Sequence, residues 1–494
     1  MAWGCLAGHL AASLDFGAKG EILRQFLRPG TLGVLAAMGL AAAGWSCRKS
    51  VDPQRPNLVL VSIDTLRADH LTAYGYERST SPEISRLASE GVLFEQAFSQ
   101  SPKTATSHMS LFTGVYPPAH RVANWGERRV RRLSDDVPTL ATLLARAGYS
   151  TVAHTEGGNV SARLGFDQGF EIYRQHRGSE PVFEGASRAL DRFVQDEDGG
   201  HAPFFLFIHT FEVHDPYVPP TELADELVDP SYSGDIVGSR EELGRLAGGG
   251  NYWARNTQYW NRVDRNDPAD IQHLKDLYDA EILFTDSQFA AFREHLRRLD
   301  LEDETIVVVL SDHGEEFLEH GGWLHNTLFQ EILHVPLIFR FPASLGLTSG
   351  RRIQNVVRLV DVVPTLLEVL ELPAPEHLQG ESLLPLVDGD ETLSRPVFSQ
   401  WLAGGRIVAL RDGEWKYIRV KQQEQLFDLS TDPKESVNRL SARQEVLAKL
   451  RAQVDEIIGE SYSFAETLTT ARPPELDQET REQLEVLGYL GGDS

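Results

Sequence analysis

Cysteine is nearly absent from this chain: there are two in 494 residues, Cys5 and Cys47. Both precede the first segment that reads as folded structure. The globular part therefore has no disulfide, no thiolate metal site and no cysteine nucleophile. Positive charge is also scarce, with 47 Lys and Arg against 72 Asp and Glu, for a net charge of -25. Such a balance excludes nucleic acid as the main partner, because a phosphate backbone demands a basic footprint. It also disfavours loose adsorption to anionic lipids. Arg128, Arg129, Arg131 and Arg132 form a local basic run, read as a solvated loop. Internal repeats are missing, and so is any apolar run of the roughly 20 residues that a membrane span needs. The nearest approach is Thr31 to Trp45, preceded by Arg24 and Arg28 and followed by Cys47. This pattern reads as an export signal or anchor, with Cys47 a candidate lipoprotein cysteine. It predicts an exported protein, periplasmic or in the cell envelope, attached to a membrane only through its N-terminus. Residues 1–54 are set aside from the fold.

What the chain does have is a set of apolar runs ending abruptly in titratable residues. Leu58 to Ile63 runs into Asp64, and Thr305 to Leu310 runs into Ser311-Asp312-His313-Gly314. Continuous β-branched runs of this kind predict strands buried on both faces of a parallel sheet. Ligands of open α/β sheets bind at the carboxyl ends of such strands. Pro203 to Ile208 is a third run, ending at His209 and followed by His214-Asp215-Pro216. Ser81-Pro82 opens a predicted helix with Ser81 as its cap. Further helices are predicted over Leu140 to Ala147, Leu274 to Leu299 and Asp361 to Leu370, and strands over Tyr149 to Ala153 and Val335 to Phe341.

The predicted fold is α/β: a large, mostly parallel sheet flanked by helices, followed by a small C-terminal antiparallel sheet plus helix. The catalytic domain is placed at 55–394, with a polar, Gly-rich surface insertion at 221–268 read as a lid over the site. Short runs at Val397 to Trp401, Ile407 to Leu410, Trp415 to Val420 and Gln425 to Leu429 form the small sheet, followed by a helix from Ser441 to Ile458. This subdomain covers 395–470, and 471–494 is a charged tail.

Asp64, Asp312 and His313 supply oxygen and imidazole donors for a divalent cation. Thr104, at a predicted helix start, supplies a hydroxyl that needs a metal or base to become nucleophilic. Backbone amides at that helix start favour an anionic substrate group.

These segments resemble the sulfatase family of the alkaline phosphatase superfamily. The resemblance is carried by Ile63 to Asp69, Thr104 to Gly114, Ser311 to Glu315, Glu319-His320-Gly321 and His334 to Ile338. Leu426-Phe427-Asp428 to Asp432-Pro433-Lys434-Glu435 resembles the family's C-terminal signature. The resemblance implies that Asp64, Asp312, His313 and Thr104 hold the metal and that Thr104 is the nucleophile. It implies that His214 and His325 contact the transferred group or the leaving oxygen. Ser107, His108 and His320 are expected on the substrate-binding side.

The departures from the family bear on the substrate. Sulfatases of this family use a formylglycine made from the first residue of Cys/Ser-x-Pro-x-Arg. Here the positions read Thr104-Ala105-Thr106-Ser107-His108, and the usual second metal aspartate is Thr65. Formylglycine is not expected. A threonine nucleophile resembles the phosphotransfer branches instead. The leading expectation is a metal-dependent hydrolase of phosphate or phosphonate esters, diesters included, acting on a small-molecule, glycan or lipid ester. Mn²⁺, Zn²⁺ or Mg²⁺ suits the donors, with Ca²⁺ an alternative. The alternatives are a sulfuric ester hydrolase, a phosphotransferase moving a headgroup onto a glycan or lipid, and a non-catalytic metal-containing binding protein.

Overall fold

The computed structural model describes residues 55–123, 131–194, 202–246, 252–390, 392–402, 406–471 and 478. The N-terminal segment, Arg128, Arg129 and most of the tail lie outside the described residues.

The apolar runs form the centre of the molecule. Strands β1 (Asn57–Ile63), β2 (Val92–Phe98), β3 (Ser150–Thr155), β4 (Ile172–Gln175), β5 (Phe204–Thr210) and β6 (Thr305–Leu310) belong to one large sheet. Its order is Arg351–Arg358, β2, Leu337–Arg340, β6, β1, β5, β3, β4. β1 pairs in parallel with both β5 and β6, while Leu337–Arg340 runs antiparallel between β2 and β6. All seven residues of β1 and all six of β6 are buried. Leu58, Leu60, Ile306, Val308 and Leu310 point to one face, packed against Met109, Phe112, Leu144 and Leu366. Val59, Val61, Val307 and Val309 point to the other, against Leu87, Leu190, Tyr278 and Phe289. Two-sided burial explains why these strands show no polar alternation.

The small sheet is Val397–Leu402, Ile407–Asp412, Trp415–Val420 and Gln423–Asp428, antiparallel throughout. Period-two alternation gives it two apolar faces. Phe398, Val408, Leu410 and Tyr417 meet Leu447, Leu450 and Val454 of the Gln444–Thr467 helix. Ile407, Ala409, Ile418 and Phe427 meet Phe98, Leu328 and Leu333 of the large domain.

Several local expectations change. The predicted strand from Val335 breaks into His334–Val335 and Leu337–Arg340, because Pro336 has no N–H to give to a ladder. Ser81 stands at the helix start, but its hydroxyl accepts from Thr72 N rather than capping. The cap comes from Asp286, whose carboxylate accepts from Glu83 N and Ile84 N. The 221–268 insertion contains the helices Thr221–Leu227, Arg240–Leu246 and Tyr252–Trp260, and it buries Ile236, Val237, Leu243 and Tyr259 in the core. Ile236 and Val237 lie outside these helices, so their burial leaves no helical period in the sequence. Among the described residues, no helix is long and apolar enough to cross a membrane.

Phe207 on β5 is fully buried with its ring edge-on to Phe112 at 4.8 Å. Phe207→Ala is expected to cost about 3–5 kcal/mol, read as a lower denaturant midpoint with an unchanged slope.

Candidate active site

The parallel strands deliver their last residues to one edge of the sheet. Asp64 follows β1, His209 lies one residue from the end of β5 and beside Ser62 in register, and Asp312 follows β6 by two residues. Asp64, Asp312 and His313 are fully buried, and one donor atom of each lies within 4.8 Å of the others. No oxygen of either carboxylate has a hydrogen-bond partner within the protein. Two carboxylates at most 4.8 Å apart repel by roughly 3 kcal/mol or more at an effective dielectric of about 20. Burial, and then the charge of Asp312, push the Asp64 carboxyl well above its ordinary range. Asp312 moves the other way: although burial opposes ionisation, His313 and His108 hold it below its ordinary range. Burial lowers His313 to about 4 against the pull of Asp312, which keeps the imidazole neutral and free to donate a lone pair. Orphaned buried oxygens beside a neutral imidazole fit a divalent cation.

Thr104 is the first residue of the Thr104–Thr113 helix, whose N-cap is Lys103. Its Oγ1 lies 3.3 Å from His313 Nε2. Thr65, where a second metal aspartate was sought, has φ +55° and donates its hydroxyl to Val213 O at 2.7 Å. It adds no ligand.

Histidines extend the cluster. The His325 ring is 4.6 Å from that of His313 and 5.1 Å from that of His214. His325 Nδ1 lies 3.1 Å from Glu315 Oε1. Burial, and then Lys103, lower His325 well below its ordinary range. His214 Nδ1 donates to Asp215 O at 3.0 Å, and its Nε2 is buried without a partner. Asp215 Oδ2 accepts from Asn256 Nδ2 and Trp260 Nε1, each at 3.0 Å, so the insertion is tied to the residue that orients His214. Lys103 Nζ donates to Asn326 Oδ1 and sits 5.3 Å from the centre of the Trp401 ring; burial pulls its ammonium down to about 7.

Three expected substrate-side residues lie elsewhere. Ser107 is fully buried, donating to Asp312 O at 2.7 Å and paired with Ser99 Oγ at 2.9 Å. His108 is fully buried between Ser62 Oγ at 2.8 Å and Thr104 O at 2.9 Å, with Asp312 Oδ2 at 3.3 Å. Both share the helix face of Thr104 but sit a turn deeper, since each residue advances the helix by ~1.5 Å. They support the acids and the nucleophile from below. His320 stacks on Phe329 at 3.6 Å and faces Glu331 at 3.4 Å, in a second group that includes Glu435. Sequence reasoning left His209, Asp215 and Glu315 without a role. The strand-end signal that exposed Asp64 and Asp312 also applies to His209.

Residues 56–372 match the Sulfatase family model, and residues 318–460 match the model for the C-terminal part of N-sulphoglucosamine sulphohydrolase. The chain belongs to the sulfatase family. It is a hydrolase of ester bonds with the fold expected of that family. Arylsulfatase K of Canis lupus familiaris is 26% identical over 85% of this chain and 84% of its own length. Choline-sulfatase of Rhizobium meliloti (strain 1021) is 24% identical over 78% of this chain and 82% of its own. Among solved structures, the phosphonate monoester hydrolase of Agrobacterium radiobacter superposes with a TM-score of 0.64 at 20% identity, covering 85% of this chain and all of that one (100%). A 2-O GAG sulfatase superposes with a TM-score of 0.66 at 20% identity, covering 86% of this chain and 96% of that one. At this identity the superpositions establish the fold of the sulfatase-family chain.

The unpaired acids predict a change of sign. In chelator at pH 8, Asp64→Asn is expected to raise unfolding stability by about 1–3 kcal/mol, because it removes one of two repelling buried charges. With saturating Mn²⁺ the wild type is expected to gain about 2.7 kcal/mol at a hundredfold excess over Kd, and the variant to gain little. Thermal unfolding with and without metal checks both arms.

Proposed function

We propose that this sulfatase-family hydrolase cleaves phosphate or phosphonate esters, diesters included, through Thr104. The reading rests on one observation: a threonine hydroxyl, not a cysteine or serine, stands at the helix N-terminus 3.3 Å from His313 Nε2. Asp64, Asp312 and His313 are the proposed cation ligands, with Thr104 completing the set. A bound Mn²⁺, Zn²⁺ or Mg²⁺ would lower the pKa of the Thr104 hydroxyl and draw charge from an ester oxygen; Ca²⁺ is the alternative, less suited to an imidazole ligand.

The proposed steps use this chain's own groups. Thr104 passes its proton to solvent water, and its Oγ1 forms a bond to phosphorus as the bond to the leaving oxygen breaks. The leaving oxygen takes a proton from His214 or His325, which adjoin each other beside His313. Asp215 beside His214 Nδ1 and Glu315 beside His325 Nδ1 orient the two rings. Water then adds to phosphorus, returning a proton to the histidine, and Thr104 Oγ1 leaves and takes its proton from solvent. The amides of the first helical turn face the anionic group.

A sulfate ester is the second reading, favoured by the sulfatase names of the similar proteins and by the C-terminal match. Under that reading Thr104 attacks sulfur without formylglycine. Export remains a proposal carried by Thr31 to Trp45 and Cys47, tested by fractionating cells that express the full chain.

Initial rates on matched aryl sulfate, phosphate monoester, phosphate diester and phosphonate, with added Mn²⁺, Zn²⁺ or Ca²⁺, separate these readings. Phosphorus esters are expected to lead, and Thr104→Ala to lose on the order of 10³-fold or more in kcat. A lead for the sulfate overturns the phosphorus reading. Turnover only with an added alcohol acceptor indicates a transferase, and metal binding without turnover a binding protein.

A further inference from the structure

His209 is a buried histidine of the site that the proposed reaction leaves unused. His209 is fully buried near the end of β5, and neither of its ring nitrogens has a hydrogen-bond partner. An imidazole in that state loses the hydration of two polar atoms without compensation, so a fold keeps it only where a partner arrives. Its surroundings name the partner. His209 Nε2 lies 3.5 Å from Asp64 Oδ2. The His108 ring meets it edge-on at 4.8 Å and the Phe211 ring at 4.6 Å, which fixes its plane. Asp64 Oδ1 faces the other way, 4.0 Å from His313 Nε2. The two oxygens of one carboxylate thus address two different groups.

We propose that His209 is a positioning residue of the metal centre: its Nε2–H donates to Asp64 Oδ2, leaving Oδ1 to take the cation. The inference rests on the reading of Asp64, Asp312 and His313 as cation ligands. At 3.5 Å the contact is just longer than a formed hydrogen bond. A small rotation of Asp64, drawn by a cation at Oδ1, closes it. Partners of this kind fix the orientation of ligating groups, and losing one typically costs 10–100-fold in metal affinity. The role requires the Nε2–H tautomer, because only a donor can serve a carboxylate oxygen.

The test is metal affinity, not turnover. Mn²⁺ is titrated into the full-length wild type, His209→Phe, His209→Gln and Asp312→Asn, with free Mn²⁺ followed by its EPR signal. Phe keeps the ring packing against His108 and Phe211 and removes the donor; Gln keeps an N–H near the Nε2 position. The expected result is 10–100-fold weaker Mn²⁺ binding in His209→Phe, substantial recovery in His209→Gln, and chelator-treated His209→Phe that unfolds no earlier than the wild type. Equal affinity in wild type and His209→Phe, with binding lost in Asp312→Asn, overturns the role of His209 alone. Unchanged affinity in Asp312→Asn overturns the cation site beneath it. If His209→Phe fails to fold, the Gln variant decides: wild-type affinity supports the donor role, and affinity as weak as that of an Asp64→Asn control rejects it.

Discussion

Two carboxylates that repel each other inside the protein set the terms for the rest of this structure. Asp64 and Asp312 are fully buried, lie within reach of one ion, and have imidazole nitrogens no nearer than 3.3 Å to their oxygens. A fold of marginal stability keeps such a pair only where function repays it. The parallel sheet makes the arrangement unavoidable. Because β1 and β6 are neighbours in register, residues just past their ends must converge. The helix that starts at Thr104 then brings a hydroxyl, and its first-turn amides, to the same point.

The second layer explains why the pair can be held. Ser107 binds the backbone of Asp312, His108 bridges Ser62 and Thr104, and Glu315 backs His325. These residues meet the site from the protein side and fix its geometry. The insertion does similar work from outside. Asn256 and Trp260 bind Asp215, so the insertion, read from sequence as a lid over the site, also fixes the setting of His214. The small sheet closes the third side, its Ile418 and Phe427 packed on Leu328 and Leu333 just past the His325 loop. The insertion and the small sheet therefore both support the histidine cluster from outside the large sheet.

The sequence made the central strands legible because two-sided burial leaves long unbroken apolar runs that end in acids. β1, β5 and β6 fall within a residue or two of their expected bounds. The edge strands Ile172–Gln175 and Arg351–Arg358 were not visible. Ile172–Gln175 has no fully buried residue, and in Arg351–Arg358 exposed residues such as Arg352 and Gln354 interrupt the buried Ile353 and Val357. In the site, residue type identified Asp64, Asp312, His313 and Thr104 as a group. Depth was not readable: Ser107 and His108 share the helix face of Thr104, yet only Thr104 stands at its open end. His320 follows a motif but turns toward Glu331 and the C-terminal subdomain. The sequence offers His209 no charge to balance, and its neighbour Asp64 emerges only when β5 is laid beside β1.

In the proposed reaction Thr104 Oγ1 takes up the transferred group. The most direct measurement is acid quenching during turnover of a phosphate or phosphonate ester, followed by peptide mass analysis. A phosphoryl or phosphonyl group covalently attached to Thr104, absent in Thr104→Ala, is the result the account predicts. Full turnover with Thr104 unmodified at every quench time, or the label on another side chain, would contradict it.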